Sequence, residues 1–310
     1  MAFKTPISIA QAHMGMFVWT IIVGFSFPAV GWMSEGLPPM LLTAIRFLIA
    51  ALVIWPMLPK NQPQRLGYGT LLLYGIMGSA LALYFGIMFW AAHRVTSLTM
   101  ATLYVSVPVL AYAMGRQLGV EPQAKALMKI LLLGALGALA LAWAESGGQL
   151  QQIQLGPSEA IFFLGCIASA LYPVLSKWGL NRGLLAPSAL YRTFWSLLIG
   201  SVIIGVMGLL WEPPQALGRM HLLDLGLLLY LSLFSSGLTY WLLQQATSVL
   251  TPAAVTAYSY LLPFVSMLLL LTHSPDLRGW HWLPGSTLVV MAITLLMYRD
   301  IRQRQLIKGG

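Results

Sequence analysis

Charge is what this chain of 310 residues has least of: Asp, Glu, Lys and Arg together make up 8% of it, against about a quarter in soluble domains. No stretch is left over that could form a water-soluble domain. Cysteine is nearly absent too. The single Cys166 lies inside the apolar run IFFLGCIASALYPVLSKW, which rules out a disulfide framework, a CxxC pair or a thiolate metal centre. It reads as a small packing residue. Catalytic signatures are also missing, with no HExxH, no GxSxG, no phosphate loop and no pair of intramembrane aspartates. The five histidines are scattered. Neither a catalytic residue nor a cofactor or metal site is expected.

Hydrophobic residues, by contrast, make up 58% of the chain, gathered into ten apolar stretches of the ~20 residues that a helix needs to cross a bilayer. The spacing predicts helices over 13–33, 38–58, 67–91, 97–116, 126–144, 156–177, 187–210, 222–245, 252–272 and 280–298. Pro38, Pro39, Pro157, Pro187 and Pro252 fall at or near first turns, where the missing N–H costs nothing. The opening MAFKTPISIAQAH lacks the pattern of a cleavable signal, so the first helix is expected to be retained. The fold class is an all-α polytopic membrane protein.

The net charge of +9 is distributed by loop. With the N-terminus in the cytoplasm, that side collects twelve basic residues, among them Lys4, Lys60, Arg65, Lys125 and Lys177, and the other side only Arg94, Arg219 and Arg278. That asymmetry follows the positive-inside rule, so both termini are expected in the cytoplasm. The basic residues 299–310 then form a cytoplasmic tail near anionic lipid. No nucleic-acid partner is expected.

The two halves resemble each other. LTMATLYVSVPVLAY aligns with AAVTAYSYLLPFVSM, placing Pro108 over Pro263, and the same offset sets Glu121 over Asp276 and Phe85 over Tyr240. FPAV at Phe27–Val30 likewise lies over YPVL at Tyr172–Leu175. Two five-helix repeats follow, 1–145 and 146–298, and because five is odd the second enters the membrane from the opposite side. Inverted repeats are the basis of alternating access around a midplane site.

At this level the chain resembles the EamA-type carriers of the drug/metabolite transporter superfamily. The likeness rests on FVWTIIVGFSFPAV, on PPMLLTAIRFLIAALV with its mid-helix Arg46, on LTMATLYVSVPV followed by Glu121, and on the small-residue run GALGALALA. It implies a bacterial inner-membrane carrier that exports amino acids and other small metabolites, and the arginines inside the helices favour zwitterionic or anionic ones. It also implies a central cavity lined by helices one, three, four, six, eight and nine. The partners are then a small-molecule substrate and the lipid bilayer, with a monomer or homodimer as the assembly. The alternative from another class is an intramembrane enzyme or lipid-handling transferase.

Candidate site residues follow from charge and spacing. Arg46 lies ~12 Å into its helix and Arg192 ~8 Å into its own, at 1.5 Å per residue. The first is too deep to escape, whereas the second can snorkel to the surface. Glu35, Glu145, Glu159, Glu212, Asp224 and Asp276 fall at loops or helix ends, so no carboxylate is expected buried within a helix. Facilitated or exchange transport is therefore expected over tight proton coupling. Residues three and four apart share a helix face, which groups Thr99, Thr102 and Ser106. It also groups Ser232, Ser236, Thr239 and Tyr240. Trp19, Ser26, Tyr84, Tyr172 and Tyr258 complete the predicted substrate-binding set with Arg46 and Arg192.

Overall fold

The computed structural model describes residues 7–59, 67–92, 94–122, 124–145, 156–273 and 280–309, and every regular element in them is helical. Nine helical spans among these residues are long and apolar enough to cross a membrane, and Pro252–Leu268 forms a shorter apolar one. Helices close their own backbone hydrogen bonds, as hydrocarbon requires. The chain is therefore a multi-pass membrane protein. Lys4, Lys60, Arg65, Asp276 and Arg278 lie outside the described residues.

The first elements are α1 (Ile9–Gly31), α2 (Pro39–Ile54) and α3 (Tyr68–Ala91). Helix α1 begins four residues before the predicted start, because Ser8 and Gln11 cap each other's backbone N–H groups ahead of the apolar run. Next come α4 (Ser97–Tyr104), α5 (Val107–Gln117), α6 (Lys125–Glu145), α7 (Pro157–Asn181) and α8 (Ala189–Trp211). The chain continues through α9 (Leu222–Tyr230), a π-helical stretch (Leu231–Leu238) and α10 (Thr239–Val249). The last elements are α11 (Pro252–Thr256), a 3-10 turn (Ala257–Leu261), α12 (Leu262–His273) and α13 (Leu283–Gly309).

Proline acts in two ways here. Pro28 and Pro173 sit inside α1 and α7 without ending them. Pro108 and Pro263 instead lie at the starts of α5 and α12, just after the breaks at Val105–Ser106 and in the 3-10 turn. Each ring removes one N–H donor and so frees a carbonyl in the preceding turn.

Helix α2 packs on α8 and on the π-helical stretch, α3 on α7 and α8, α1 on α10 and α12, α5 on α7, and α6 on α13. The α6–α13 contact is close enough to need glycine on both sides. A Cβ on Gly137 would stand 2.8 Å from the Val289 backbone nitrogen, and one on Gly285 would stand 2.9 Å from the Gly137 carbonyl oxygen. The GALGALALA run thus serves close approach within the chain's own bundle. The outer surfaces carry apolar side chains such as Leu72, Leu136, Val202 and Leu209, which suits contact with lipid.

Helix α13 departs from the sequence reading. It continues past residue 298 to Gly309, because Arg299–Lys308 contains no glycine or proline to stop it. Asp300, expected in a tail, is instead a helical residue with 8% exposure. The expectation that no carboxylate is buried within a helix is thereby corrected.

Candidate functional site

Arg46 lies about seven residues into α2, or roughly 10 Å at 1.5 Å per residue, and is 6% exposed. Its Nε and Nη2 donate to Ser236 Oγ at 3.2 and 3.0 Å. Its guanidinium also stands 5.7 Å from the centre of the Phe85 ring, within the range of a cation–π attraction. No carboxylate among the described residues pairs with it. A hydroxyl and a ring face are weak compensation for a full charge taken out of water.

Around Arg46 runs a chain of rings. Tyr104 stands 5.9 Å from Tyr84, Tyr84 5.1 Å from Phe85, and Phe85 5.3 Å from Phe47. Phe47 stands 6.0 Å from Tyr240, and Tyr240 5.6 Å from Tyr172. These are centroid separations typical of favourable aromatic pairs. The rings come from α2, α3, α4, α7 and α10, so five helices are joined by one chain of rings that touches the guanidinium at Phe85. Tyr84, Phe85, Tyr104 and Tyr240 are only half-buried, and Tyr104 Oη lies 3.4 Å from Ser169 Oγ.

Ser236 lies in the π-helical stretch, a feature common at functional sites, and Ser236, Tyr240 and Gln244 follow one another at four-residue steps toward Arg192. Ser232 and Thr239, expected on the same face, donate to the carbonyls of Leu228 and Ser235 at 2.6 Å each.

Arg192 is held quite differently. The snorkelling expected of it is not seen, for the side chain is fully buried. Nη1 donates to the carbonyls of Ala186 and Pro187 at 2.8 and 2.9 Å. Nη2 donates to the Gln244 carbonyl at 2.6 Å and Nε to Gln244 Oε1 at 2.9 Å. Gln244 Nε2 in turn donates to Tyr172 Oη at 2.7 Å, and Ser176 donates to Gln244 Oε1. Four of the five guanidinium N–H groups therefore have fixed oxygen partners.

Of the predicted residues, the structure thus brings together Arg46, Tyr84, Tyr172, Ser236 and Tyr240, and joins Arg192 to them through Gln244. Others lie apart. Thr99 is buried beside Thr96 at the start of α4, with their hydroxyls 2.9 Å apart. Thr102 is half-buried, and two residues on the same helix put Tyr104 on the opposite face. Ser106 and Ser26 donate to the Leu103 and Val23 carbonyls at 2.6 Å. Trp19 is half-buried against the main apolar core. Tyr258 is fully buried, with its hydroxyl 2.8 Å from His13 Nδ1 and its ring against Phe17. Phe47, Tyr104, Ser169 and Gln244 were not among the predicted residues. The doubled glutamine at 244–245, at the end of the predicted helix, was a signal that could have found Gln244.

Two further polar ties set the ends of the bundle. Glu212 accepts from the N–H groups of Met40 and Leu41 at 2.9 Å each, capping α2. Asp224 accepts from Ser34 N–H and hydroxyl at 2.8 Å each, and from His221 N–H at 2.8 Å. At the other end, Gly119 takes φ +72° and turns the chain so that Glu121 folds beneath α11, accepting from Ala253 N–H at 3.1 Å. Burial pushes the Glu121 carboxyl up to about 7, against the opposing pull of the Ala253 and Thr251 hydrogen bonds and the Arg299 charge.

The raised value has a consequence for stability. From the unfolded value of 4.5 up to about 7, the folded protein holds a proton that the unfolded chain has released, so stability falls as pH rises through that window. The span corresponds to about 3 kcal/mol. Glu121→Gln keeps an acceptor for Ala253 and removes the ionisation. It is expected to flatten the fall in melting temperature of the detergent-solubilised protein between pH 5 and 8. Identical pH profiles for the variant and the parent would contradict this assignment.

Comparison with known proteins gives a consistent picture. The EamA-like transporter family matches twice, over residues 11–144 and 157–299. Protein PecM of Dickeya dadantii (strain 3937) is 26% identical over 74% of this chain and 73% of its own length. The uncharacterized transporter YyaM of Bacillus subtilis (strain 168) is 21% identical over 91% of this chain and 93% of its own. A crystal structure of a protein 18% identical superposes with a TM-score of 0.74, covering 94% of this chain and 99% of that one. The two share a fold.

Proposed function

Because the chain belongs to the EamA-like transporter family and is a membrane transporter, we propose that it exports amino acids or related zwitterionic or anionic metabolites across a bacterial inner membrane by alternating access. The observation that carries this reading is Arg46. It is a buried cation with no carboxylate partner among the described residues, set against a ring face and a hydroxyl. A substrate carboxylate would pair with the guanidinium by charge-assisted hydrogen bonds. The half-buried tyrosines would take the substrate's ammonium or apolar part.

Several features support two inverted repeats of five helices. The family matches two successive segments of similar length. Contacts also occur in counterpart pairs: α3 on α7 corresponds to α10 on α1, α3 on α8 to the π-helical stretch on α2, and α5 on α7 to α12 on α1. The excess of basic residues on one set of loops supports cytoplasmic termini.

Counterflow tests the reading. Purified protein in liposomes preloaded with one unlabelled amino acid or organic acid at a time should take up the same labelled compound saturably, without an imposed ion gradient. Absence of counterflow across the amino and organic acids, in protein shown to be folded, would overturn it.

A further inference from the structure

A second buried polar group, separate from Arg46, lies at the end of the bundle where α1 begins. His13 of α1 is fully buried, with Nδ1 2.8 Å from the Tyr258 hydroxyl of the 3-10 turn and Nε2 3.5 Å from Asp300 Oδ2 of α13. That Nε2 makes no hydrogen bond. Arg299 Nη1 stands 3.3 Å from Asp300 Oδ1, yet Nη1 and Nε also lack hydrogen-bond partners. Glu121 reaches in from the link between α5 and α6, within electrostatic range of Arg299 and Asp300, and its Oε1 has no partner. Four separate parts of the chain meet here through groups that are close but incompletely bonded.

The surrounding charges are few. The Tyr260 hydroxyl, on the same 3-10 turn as Tyr258, is buried without a partner. Lys177 of α7 is within electrostatic range of Glu121, but its ammonium is bound to the carbonyls of Thr247 and Ser248 at 3.0 and 3.1 Å, the negative end of α10, which offsets its charge. Arg116, Lys125, Lys129 and Arg302 are exposed. With Lys177 held by those carbonyls, two carboxyl groups of the cluster face one arginine. Buried groups resist a net charge, so closure favours one extra proton shared among His13, Asp300 and Glu121. Such a proton belongs to the group and not to any one residue.

We propose that this cluster is a proton-operated latch: one shared proton holds α1 against the 3-10 turn and α13, and its loss opens this end of the protein to water. The inference rests on the alternating-access reading, since it assigns the latch to one of the two openings. Without the proton the cluster carries a net negative charge that only hydration relieves, so water enters and the helix ends part. Higher pH at this face favours the open form.

The test needs no substrate. In a Cys166→Ala background, Ala10→Cys on α1 and Gln303→Cys on α13, both exposed positions, carry nitroxide spin labels in liposomes. Pulsed dipolar spectroscopy then reads the distance between them. A longer-distance population should grow between pH 6 and pH 8, by at most about tenfold in the open-to-closed ratio per pH unit for one proton. Asp300→Asn and Glu121→Gln each imitate a protonated carboxyl and should flatten that response. If Asp300→Asn does not fold, Glu121→Gln carries the same comparison. Distance distributions in the parent that are identical at both pH values would overturn the latch, as would an undiminished pH response in the folded variants. Loss of counterflow alone would bear on the transport reading and leave this measurement intact.

Discussion

Arg46→Ala is expected to lower the counterflow rate about ten- to a hundredfold, the equivalent of one charge-assisted hydrogen bond of about 1.5–3 kcal/mol, with helix content unchanged. The reasoning starts from what Arg46 holds in the protein. It bonds a single hydroxyl, Ser236, and lies against Phe85. Truncation leaves no buried anion behind, so the fold loses little, whereas a bound carboxylate would lose its countercharge. Arg46→Lys should fall between, since an ammonium keeps the charge but loses the planar fork and the stacking on Phe85. Circular dichroism and counterflow on the same preparation check both halves of the expectation. Unchanged transport in fully expressed Arg46→Ala would remove Arg46 from the site.

Much of this was legible in the sequence. The helical, membrane-spanning character follows from apolar length, and Arg46 stands out because a cation deep in an apolar run is rare. Helical spacing groups Ser236 with Tyr240, the matching region of the third helix points to Tyr84, and the sixth helix supplies Tyr172. On α4 the same spacing groups Thr99 and Thr102 on one face, whereas Tyr104, two residues from Thr102, lies on the opposite face and meets Tyr84. Asp300 was missed for a different reason: a run of basic residues looks like a solvated tail, and only contact with His13 shows which face of α13 turns inward. Tyr258 was identified as an inward-facing aromatic, but its hydroxyl meets His13 at the end of the bundle. A sequence without coordinates does not say how far along the helix axis a residue sits from Arg46.

Arg192→Met is expected to cost folding rather than transport specificity. Its four bonded N–H groups join the carbonyls of Ala186 and Pro187, just before α8, to Gln244 on α10. Removing them leaves buried carbonyl oxygens without donors, and breaking such a buried charged network costs about 3–5 kcal/mol. The converse change, Gln244→Leu, removes the Nε bond of Arg192 and the side-chain partner of Tyr172 and Ser176, while the carbonyl of residue 244 still accepts from Nη2. Each single variant should lower the melting temperature in detergent, and the double variant should lower it by less than the sum. A coupling of about 1–3 kcal/mol is expected for residues sharing one network. Arg192 and Arg46 then give opposite readouts. The folded fraction of Arg192→Met should keep the competition profile of the parent, because none of its four fixed bonds points to a substrate. Strict additivity in the cycle, or an altered substrate preference in folded Arg192→Met, would instead place the second arginine in the binding site beside the first.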